Sequence, residues 1–245
     1  MTGETFRDTS VVILAGGKGT RLQPFTAVFP KPLVPLGNRT VLEILLRRLA
    51  NSGLTNITIC TGYLSELLMA VFGNGASLGL NISYSHEEKP LGTAGPLAGI
   101  KNLSDPFLVM NGDLLTTLNF TAMLAYHREQ NADITIGTYS RDVKIDFGVV
   151  EFDESGEYYG FREKPTYHFE VSMGVNVLSR SVMKHIAAGT YLDMPTLVTT
   201  VYEGGGAIKC FREDCYWLDI GRVDDYALAQ EQFEQNEKMF LGEKP

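Results

Sequence analysis

Val11 to Lys31 reads VVILAGGKGTRLQPFTAVFPK. Its first five residues, Val11 to Ala15, are an uncharged aliphatic run, the pattern of a strand buried on both faces of a parallel sheet. The run opens at once into Gly16, Gly17, Lys18, Gly19, Thr20 and Arg21. Glycines let the backbone approach another group closely and turn successive N–H groups toward an anion. Lys18, Arg21 and Lys31 add positive charge at the same place. The stretch therefore reads as a phosphate site, but not one of the two commonest kinds. A Walker A loop needs G-x-x-x-x-G-K-[ST], and Gly17-Lys18 is followed by Gly19 with no glycine five residues before Gly17. A dinucleotide fingerprint needs G-x-G-x-x-G, and here the last position is Leu22. Pro24 and Pro30 also keep a helix from starting directly after the loop.

Working outward, 245 residues suffice for one large α/β domain with a well-buried core. The formal net charge of −8, with no basic run of five or more, argues against a nucleic-acid partner. The first ten residues, MTGETFRDTS, hold no apolar segment, so no signal peptide is expected. No apolar stretch approaches the ~20 residues that span a bilayer. The three cysteines, Cys60, Cys210 and Cys215, cannot all pair and match no zinc spacing. Reduced thiols in a cytoplasmic protein are the expectation, and a homodimer is compatible with it.

In chain order, strands and helices alternate. Thr40 can cap a helix from Val41 to about Ser52, with Gly53 past its end. Asn56 to Thr61 reads as a strand, Leu64 to Phe72 as a helix, Asn81 to Ser85 as a strand and Thr93 to Lys101 as a short helix. Phe107 to Met110 is a buried strand that ends in Asn111-Gly112-Asp113. Such β-α-β units predict a doubly wound, mostly parallel, Rossmann-like sheet between helical layers, in which ligands bind at the carboxyl ends of the strands. Thr121 to Gln130 is a further helix. Beyond it come strands at Ile134 to Tyr139, Val149 to Phe152, Tyr158 to Phe161 and Val171 to Leu178. Helices are expected near Arg180 to Ala188 and Met194 to Tyr202, a strand at Ala207 to Phe211, and a closing helix at Val223 to Gln235 before a polar, mobile tail. The expectation is one domain, residues 1–245. About 8–120 form a nucleotide lobe, and about 121–235 a β-rich acceptor lobe with the closing helix.

Two aspartates stand where chemistry is expected. Asp113 follows the buried strand, and Asp219 follows an aromatic-rich segment and precedes Ile220-Gly221. Mg²⁺ takes one or two carboxylates and completes its shell with water and phosphate oxygens, which two aspartates from distant strand ends suit. Taken alone, an aspartate at a strand end more often serves a turn or a helix cap.

Leu14 to Leu22, followed by Lys31-Pro32, resembles the ordered L-A-G-G-x-G-T-R-L…K-P signature of the sugar-1-phosphate nucleotidylyltransferases, the nucleotide-sugar pyrophosphorylases. Asn111-Gly112-Asp113 and Trp217-Leu218-Asp219-Ile220-Gly221 are similar to that family's two metal motifs. The resemblance, which runs from Val11 to about Gln232, implies Mg²⁺ on Asp113 and Asp219. It also implies a nucleotide held by residues 14–20 (Leu14, Ala15, Gly16, Gly17, Lys18, Gly19, Thr20) with Asn111 and Gly112. Arg21, Lys31, Asp113 and Lys164 would be catalytic. Glu163-Lys164-Pro165 resembles the family's E-K-P segment at the sugar phosphate, although alone Lys164 reads as a solvated charge. Asp146 to Val150 resembles its Y-G-V-V segment, with Phe147 for Tyr and the glycine, Gly148, retained. Ser172-Met173-Gly174-Val175 resembles its N-A-G-I segment, with Ser172 for Asn. Gly148, Glu163, Lys164, Ser172 and Gly174 are thus implied at the sugar phosphate.

His86 to Leu97 resembles the E-x-P-L-G-T-A-G-P-L stretch of mannose-1-phosphate guanylyltransferases, which places Gly92 and Thr93 at the nucleotide and Glu87 at the base. A carboxylate only accepts hydrogen bonds, and guanine offers N1–H and a 2-amino group. Glu87, or Glu88 if the register slips by one, therefore points to GTP; a surface acid beside Lys89 is the plain alternative. The expected reaction joins GTP to a mannose- or heptose-type sugar 1-phosphate and releases pyrophosphate. The same transfer with UTP, dTTP or CTP stays open, as does a catalytically idle sensor of nucleotide sugars.

Overall fold

In the computed structural model, which describes residues 6–17, 19–22, 26, 29–221 and 223–243, the opening run forms β1 (Ser10–Leu14). Its alternation sends Val11 and Ile13 to one face and Val12 to the other, and all three are fully buried. A short hairpin of β2 (Pro35–Leu36) and β3 (Arg39–Thr40) leads into α1 (Val41–Asn51). The Thr40 hydroxyl accepts from Glu43 N at 3.2 Å, the N-terminal cap expected of a Thr-x-x-Glu start. β4 (Asn56–Thr61), α2 (Ser65–Phe72), β5 (Asn81–His86) and β6 (Phe107–Asn111) complete the first half. The remainder comprises β7 (Leu114–Thr116), α3 (Phe120–Glu129), β8 (Ile134–Lys144), β9 (Val149–Phe152), β10 (Tyr158–Arg162), β11 (Thr166–Leu178), α4 (Met194–Glu203), β12 (Ile208–Arg212), β13 (Trp217–Asp219) and α5 (Val223–Leu241).

Seven strands form the central sheet in the order β12-β8-β11-β6-β1-β4-β5. β6, β1, β4 and β5 run parallel, as do β12 and β8, while β11 is antiparallel to both its neighbours. The sheet is therefore mostly parallel, as expected. One face packs against α1, α2 and α3 through Leu42, Leu46, Leu68 and Phe120. The other packs against α4 through Leu197 and Val201. A third apolar cluster joins Leu22, Ile44, Leu115 and Ile220 to Phe233 and Phe240 of α5.

Four expectations are corrected. Thr93 to Lys101 is not a helix: only Gly95–Gly99 turns, as 3₁₀, because Gly95, Pro96 and Gly99 are poor helix formers. Arg180–His185 is likewise 3₁₀ rather than an α-helix to Ala188. β8 and β11 run several residues longer than their buried cores, pairing outward from Tyr139↔Val171 to Lys144↔Thr166 as a solvent-exposed ribbon. The closing helix does not stop at Gln235. It runs to Leu241 across one non-helical residue, Asn236, because Phe240 and Leu241 are buried and Asn51 Nδ2 donates to Leu241 O at 2.8 Å. That segment of the expected mobile tail is docked.

A buried histidine ties α3 to the sheet. His127, 2% exposed, has Nδ1 2.8 Å from Thr135 Oγ1 and Nε2 3.0 Å from Ser179 Oγ. The Ser179 hydroxyl donates to Ala132 O, so it accepts from an Nε2–H, and in the neutral ring Nδ1 accepts from the Thr135 hydroxyl. Burial pushes the imidazole down from 6.5 to about 4. Protonation then favours the unfolded chain, so this contribution is full above about pH 6.5 and disappears as pH falls toward 4. By linkage it amounts to roughly 3 kcal/mol. The Tm difference between the unsubstituted protein and His127→Gln should narrow from pH 7 to pH 4; a constant difference would mean that His127 does not titrate on unfolding.

Candidate active site

The strand β1 delivers the glycine loop to the carboxyl edge of the sheet. Ala15 N donates to Cys60 O at 2.9 Å, and Gly112 N donates to Leu14 O at 3.0 Å, so the chain leaving β1 is pinned between β4 and β6. Gly16 lies against Gly62 and the Glu87 carboxylate: a Cβ on Gly16 would collide with Glu87 Oε1, and one on Gly62 would lie 3.0 Å from Gly16 O. A Cβ on Gly17 would meet nothing within 4 Å, so that side of the loop faces open space. Gly19 has φ +60°, and its oxygen accepts from Thr26 Oγ1 at 2.7 Å and from Leu22 N at 2.9 Å. The loop thereby folds back on Lys31, whose Cβ is 3.0 Å from where a Cβ on Gly19 would stand. Lys18 lies outside the described residues. Thr20 and Arg21 are exposed at the start of a 3₁₀ turn anchored by buried Leu22.

Asp113 and Asp219 come together through the antiparallel pairing of β7 and β13, in which Leu114 faces Asp219. Ile220 N donates to Asp113 O at 3.1 Å. Lys31, fixed between Pro30 and Pro32 in a 3₁₀ turn, forms an ion pair with Asp113 Oδ2, and its Nζ lies 3.7 Å from Asp219 Oδ1. Asp113 Oδ1 and Asp219 Oδ1 are buried without a hydrogen-bond partner. Burial first, and the charge of Asp113 second, raise the Asp219 carboxyl above its usual range, against Lys31 and Arg21, which lower it. Two crowded carboxylates with open oxygens fit a hard, oxygen-ligated dication that brings its own water and phosphate ligands. Among the described residues no group of three or more His, Cys, Asp or Glu could form an all-protein cage.

Beside the aspartates lies a cavity of about 520 Å³. Asn111, Ser172, Gly174, Trp217 and Asp219 line part of it, and Met194, Pro195, Val198 and Thr199 of α4 line another part. Gly174 has φ +70°, and a Cβ there would stand 2.5 Å from Asn111 Nδ2, so only glycine admits both. Ser172 Oγ accepts from Gly174 N at 3.4 Å. The Trp217 ring is fixed by its Nε1–H to Met173 O at 2.9 Å.

Against Gly16 and Gly62, Glu87 is half-buried, while Glu88 is exposed. Glu87 Oε2 accepts from Leu91 N at 3.1 Å, and burial raises its carboxyl above the ordinary range. Gly92 and Thr93 pack on the start of α4. The Thr93 amide donates to Asp193 Oδ1 at 3.2 Å, and its hydroxyl accepts from Met194 N at 2.7 Å.

The acceptor segment is only partly gathered. Ser172 and Gly174 line the cavity; Gly148, Glu163 and Lys164 do not. Gly148 and Glu163 meet at the base of the exposed β9–β10 hairpin, with Lys164 next in the chain; a Cβ on Gly148 would collide with Phe161 and lie 3.1 Å from Glu163 Oε2. Lys164 has φ +44°, a left-handed conformation that a non-glycine residue holds under strain and that recurs at ligand sites. Sequence reasoning missed Gly62, the floor beneath Gly16, which carried no motif of its own. It also missed Asn176, whose signal was a polar residue inside the apolar run Val175-Asn176-Val177-Leu178.

Residues 10–236 match the nucleotidyl transferase family. The chain is 34% identical over 223 residues to a mannose-1-phosphate guanylyltransferase of Mycobacterium tuberculosis, covering 88% of this chain and 62% of that one. It is 33% identical over 238 residues to a UTP–glucose-1-phosphate uridylyltransferase of Synechocystis, covering 89% and 61%. It thus spans about three fifths of the length of the curated relatives it matches. In fold it is similar to HddC from Yersinia pseudotuberculosis complexed with GMP-PN, with a TM-score of 0.72, 23% identity, and 92% of this chain and 99% of that chain covered. With the family match spanning residues 10–236, the chain belongs to the nucleotidyl transferase family.

Proposed function

We propose that the protein transfers a nucleotidyl group from an NTP, with GTP preferred, to a mannose- or heptose-type sugar 1-phosphate, releasing pyrophosphate. The observation that carries this reading is the convergence of Lys31, Asp113 and Asp219 between the glycine loop and the cavity. An oxygen of the sugar phosphate attacks the α-phosphorus in line, forming the new P–O bond as the bond to pyrophosphate breaks. Such transfer rests on positioning and charge neutralisation. The attacking phosphate is already ionised, so no general base is required.

The lobe at about 8–120 holds the nucleotide, with the backbone N–H groups of Gly16 and Gly17 toward its phosphates. Arg21, with Lys18, neutralises the leaving pyrophosphate. Lys31 stands beside both acids, where the α-phosphate has to lie. Asp113 and Asp219 would hold Mg²⁺, which when bound supplies neutralisation of phosphate charge. In the lobe at about 121–235, Ser172, Gly174 and Gly148 receive the sugar, and Glu163 and Lys164 bring the acceptor phosphate in from the hairpin. No described helix is long and apolar enough to cross a membrane; a cytoplasmic setting belongs to the same reading.

The similarity to a uridylyltransferase favours UTP as the second reading. Pyrophosphate release from a panel of NTPs and sugar 1-phosphates, run on the unsubstituted protein and on Glu87→Gln, tests both. Leu91 N–H already points at Glu87 Oε2, so a Gln here would keep its carbonyl on that donor and turn its NH₂ to the base. Guanine would then meet a donor with donors, a loss worth roughly ten- to a hundredfold in kcat/KM. Uracil would gain a donor for a carbonyl. The GTP-to-UTP ratio of kcat/KM should fall accordingly; an unchanged ratio would remove Glu87 from the base site. Absence of pyrophosphate from every pair would overturn the activity.

A further inference from the structure

The end of the cavity further back along β6, beside Val109, is built differently from the part beside Asn111 and Asp219. Asn176 sits on β11 opposite Val109 of β6 and Ile136 of β8. Its neighbours Val175 and Val177 face the α1 side, so strand alternation turns Asn176 to the α4 side. There the wall is apolar: Leu14, Val109 and Ile136 from the sheet, and Met194, Pro195 and Val198 from α4. Asn176 is 5% exposed and lines this space. Its carboxamide forms no side-chain hydrogen bond with any described residue. Thr199, also on the wall, has its hydroxyl donated to Pro195 O at 3.0 Å, and the Thr93 hydroxyl is held by Met194 N. A β-bulge between Ser172 and Asn176 shifts the pairing with β8 at this point, a device that re-aims side chains next to sites.

No side-chain atom of Asn176 is both buried and unpartnered, so its carboxamide opens onto the cavity, a polar group in an apolar wall that a ligand can reach. A hydrophobic residue would pack better against Val109 and Ile136. We propose that this end of the cavity is an acceptor-specificity subsite, in which Asn176 hydrogen-bonds a sugar substituent remote from the anomeric phosphate. This rests on the functional reading above and names its substrate class more closely. The sugar carries, away from C1, a group that both donates and accepts, flanked by carbon that fills the apolar sleeve. A hydroxyl-bearing exocyclic carbon and an acylamino group share that chemistry. The part of the acceptor near the phosphate meets Ser172 and Gly174; the substituent meets Asn176.

The test uses the full chain with GTP and Mg²⁺ at saturation. The acceptors are mannose 1-phosphate, a heptose 1-phosphate and an N-acetylhexosamine 1-phosphate, each paired with its analogue lacking the distal hydroxyl or acyl group. Against the acceptor used best, Asn176→Leu should raise the KM for sugar phosphate roughly tenfold, as expected for one lost hydrogen bond, with the KM for GTP changed less than twofold. The unsubstituted protein should prefer the intact acceptor over its truncated analogue by a similar factor, and Asn176→Leu should not discriminate. The pair that loses discrimination tells the hydroxyl from the acylamino group. An equal preference in both proteins for every pair would overturn the subsite, as would a variant whose KM for GTP rises instead. Thermal shifts induced by each sugar 1-phosphate alone report the same contrast without turnover. If the unsubstituted protein released no pyrophosphate, the activity would fail while this binding contrast still judged Asn176; binding of no sugar phosphate would overturn both. Should Asn176→Leu not fold, Asn176→Ser gives the same readout with a smaller side chain.

Discussion

Asp113→Asn should lower kcat/KM by at least about 10³-fold for both substrates, since a held dication supplies several kcal/mol of charge stabilisation and each ~1.4 kcal/mol is tenfold. The substitution is chosen because the surrounding backbone does not depend on the carboxylate. Gly112 N is held by Leu14 O at 3.0 Å, and Asp113 O by Ile220 N at 3.1 Å. An amide of the same shape can still accept from Lys31. What disappears is one negative charge in a crevice where Asp113 Oδ1 and Asp219 Oδ1 have no other partner. The Tm should therefore stay within a few degrees while turnover collapses, and excess Mg²⁺ should not restore it. The charge of Asp113 is one cause of the raised Asp219 carboxyl, so the variant should also ionise Asp219 more readily. Activity within tenfold of the unsubstituted protein would take Asp113 out of the site.

Much of this arrangement was legible because its causes are local. The uncharged run at Val11 to Ala15 alternates between two apolar faces, and glycines at 16 and 19 sit where contacts or a positive φ exclude a side chain, while Gly17 faces open space. Asp113 follows from the end of a buried strand. The meeting of Asp113 with Asp219 is a different matter. It depends on β7 and β13 pairing across about a hundred residues of chain, and no periodicity announces that; only the resemblance of two short motifs did. The closing helix was cut short because its last polar residues hid Phe240, which packs on Phe233 two turns back in the same helix and on Tyr216 just before β13. Thr93 was legible as a conspicuous residue but not as what holds it, since Asp193 and Met194 stand a hundred residues away. The placement of Gly148, Glu163 and Lys164 on an exposed hairpin outside the cavity was equally illegible, because motif order says which residues belong to a site and not how far a ribbon carries them from it.

Lys31 carries the second large effect, and it separates two roles that the Asp113 variant cannot. In the free protein its ammonium is the counter-charge of both acids, paired with Asp113 and 3.7 Å from Asp219. Lys31 is 13% exposed in its side chain and Asp113 is 19% exposed, so their attraction is less screened than at an open surface. Lys31→Met keeps the length and apolar contacts of the stem and removes only the charge. It leaves two carboxylates facing each other, which should cost about 1–3 kcal/mol once partial solvation is allowed for. That loss should shrink as pH falls and Asp219, whose carboxyl burial already raises, takes up a proton. It should also shrink with added Mg²⁺, so the Tm rise between EDTA and saturating Mg²⁺ should be larger in Lys31→Met than in the unsubstituted protein. Turnover behaves otherwise. If Lys31 stabilises charge on the transferring phosphate, kcat should drop by on the order of 10²–10³ even at saturating Mg²⁺, because neutralising the acids does not replace a donor aimed at phosphate. Recovery of both stability and kcat with Mg²⁺ would reduce Lys31 to a counter-ion for the aspartates. Recovery of stability alone is the expected result, and it would place the ammonium at the reacting phosphate.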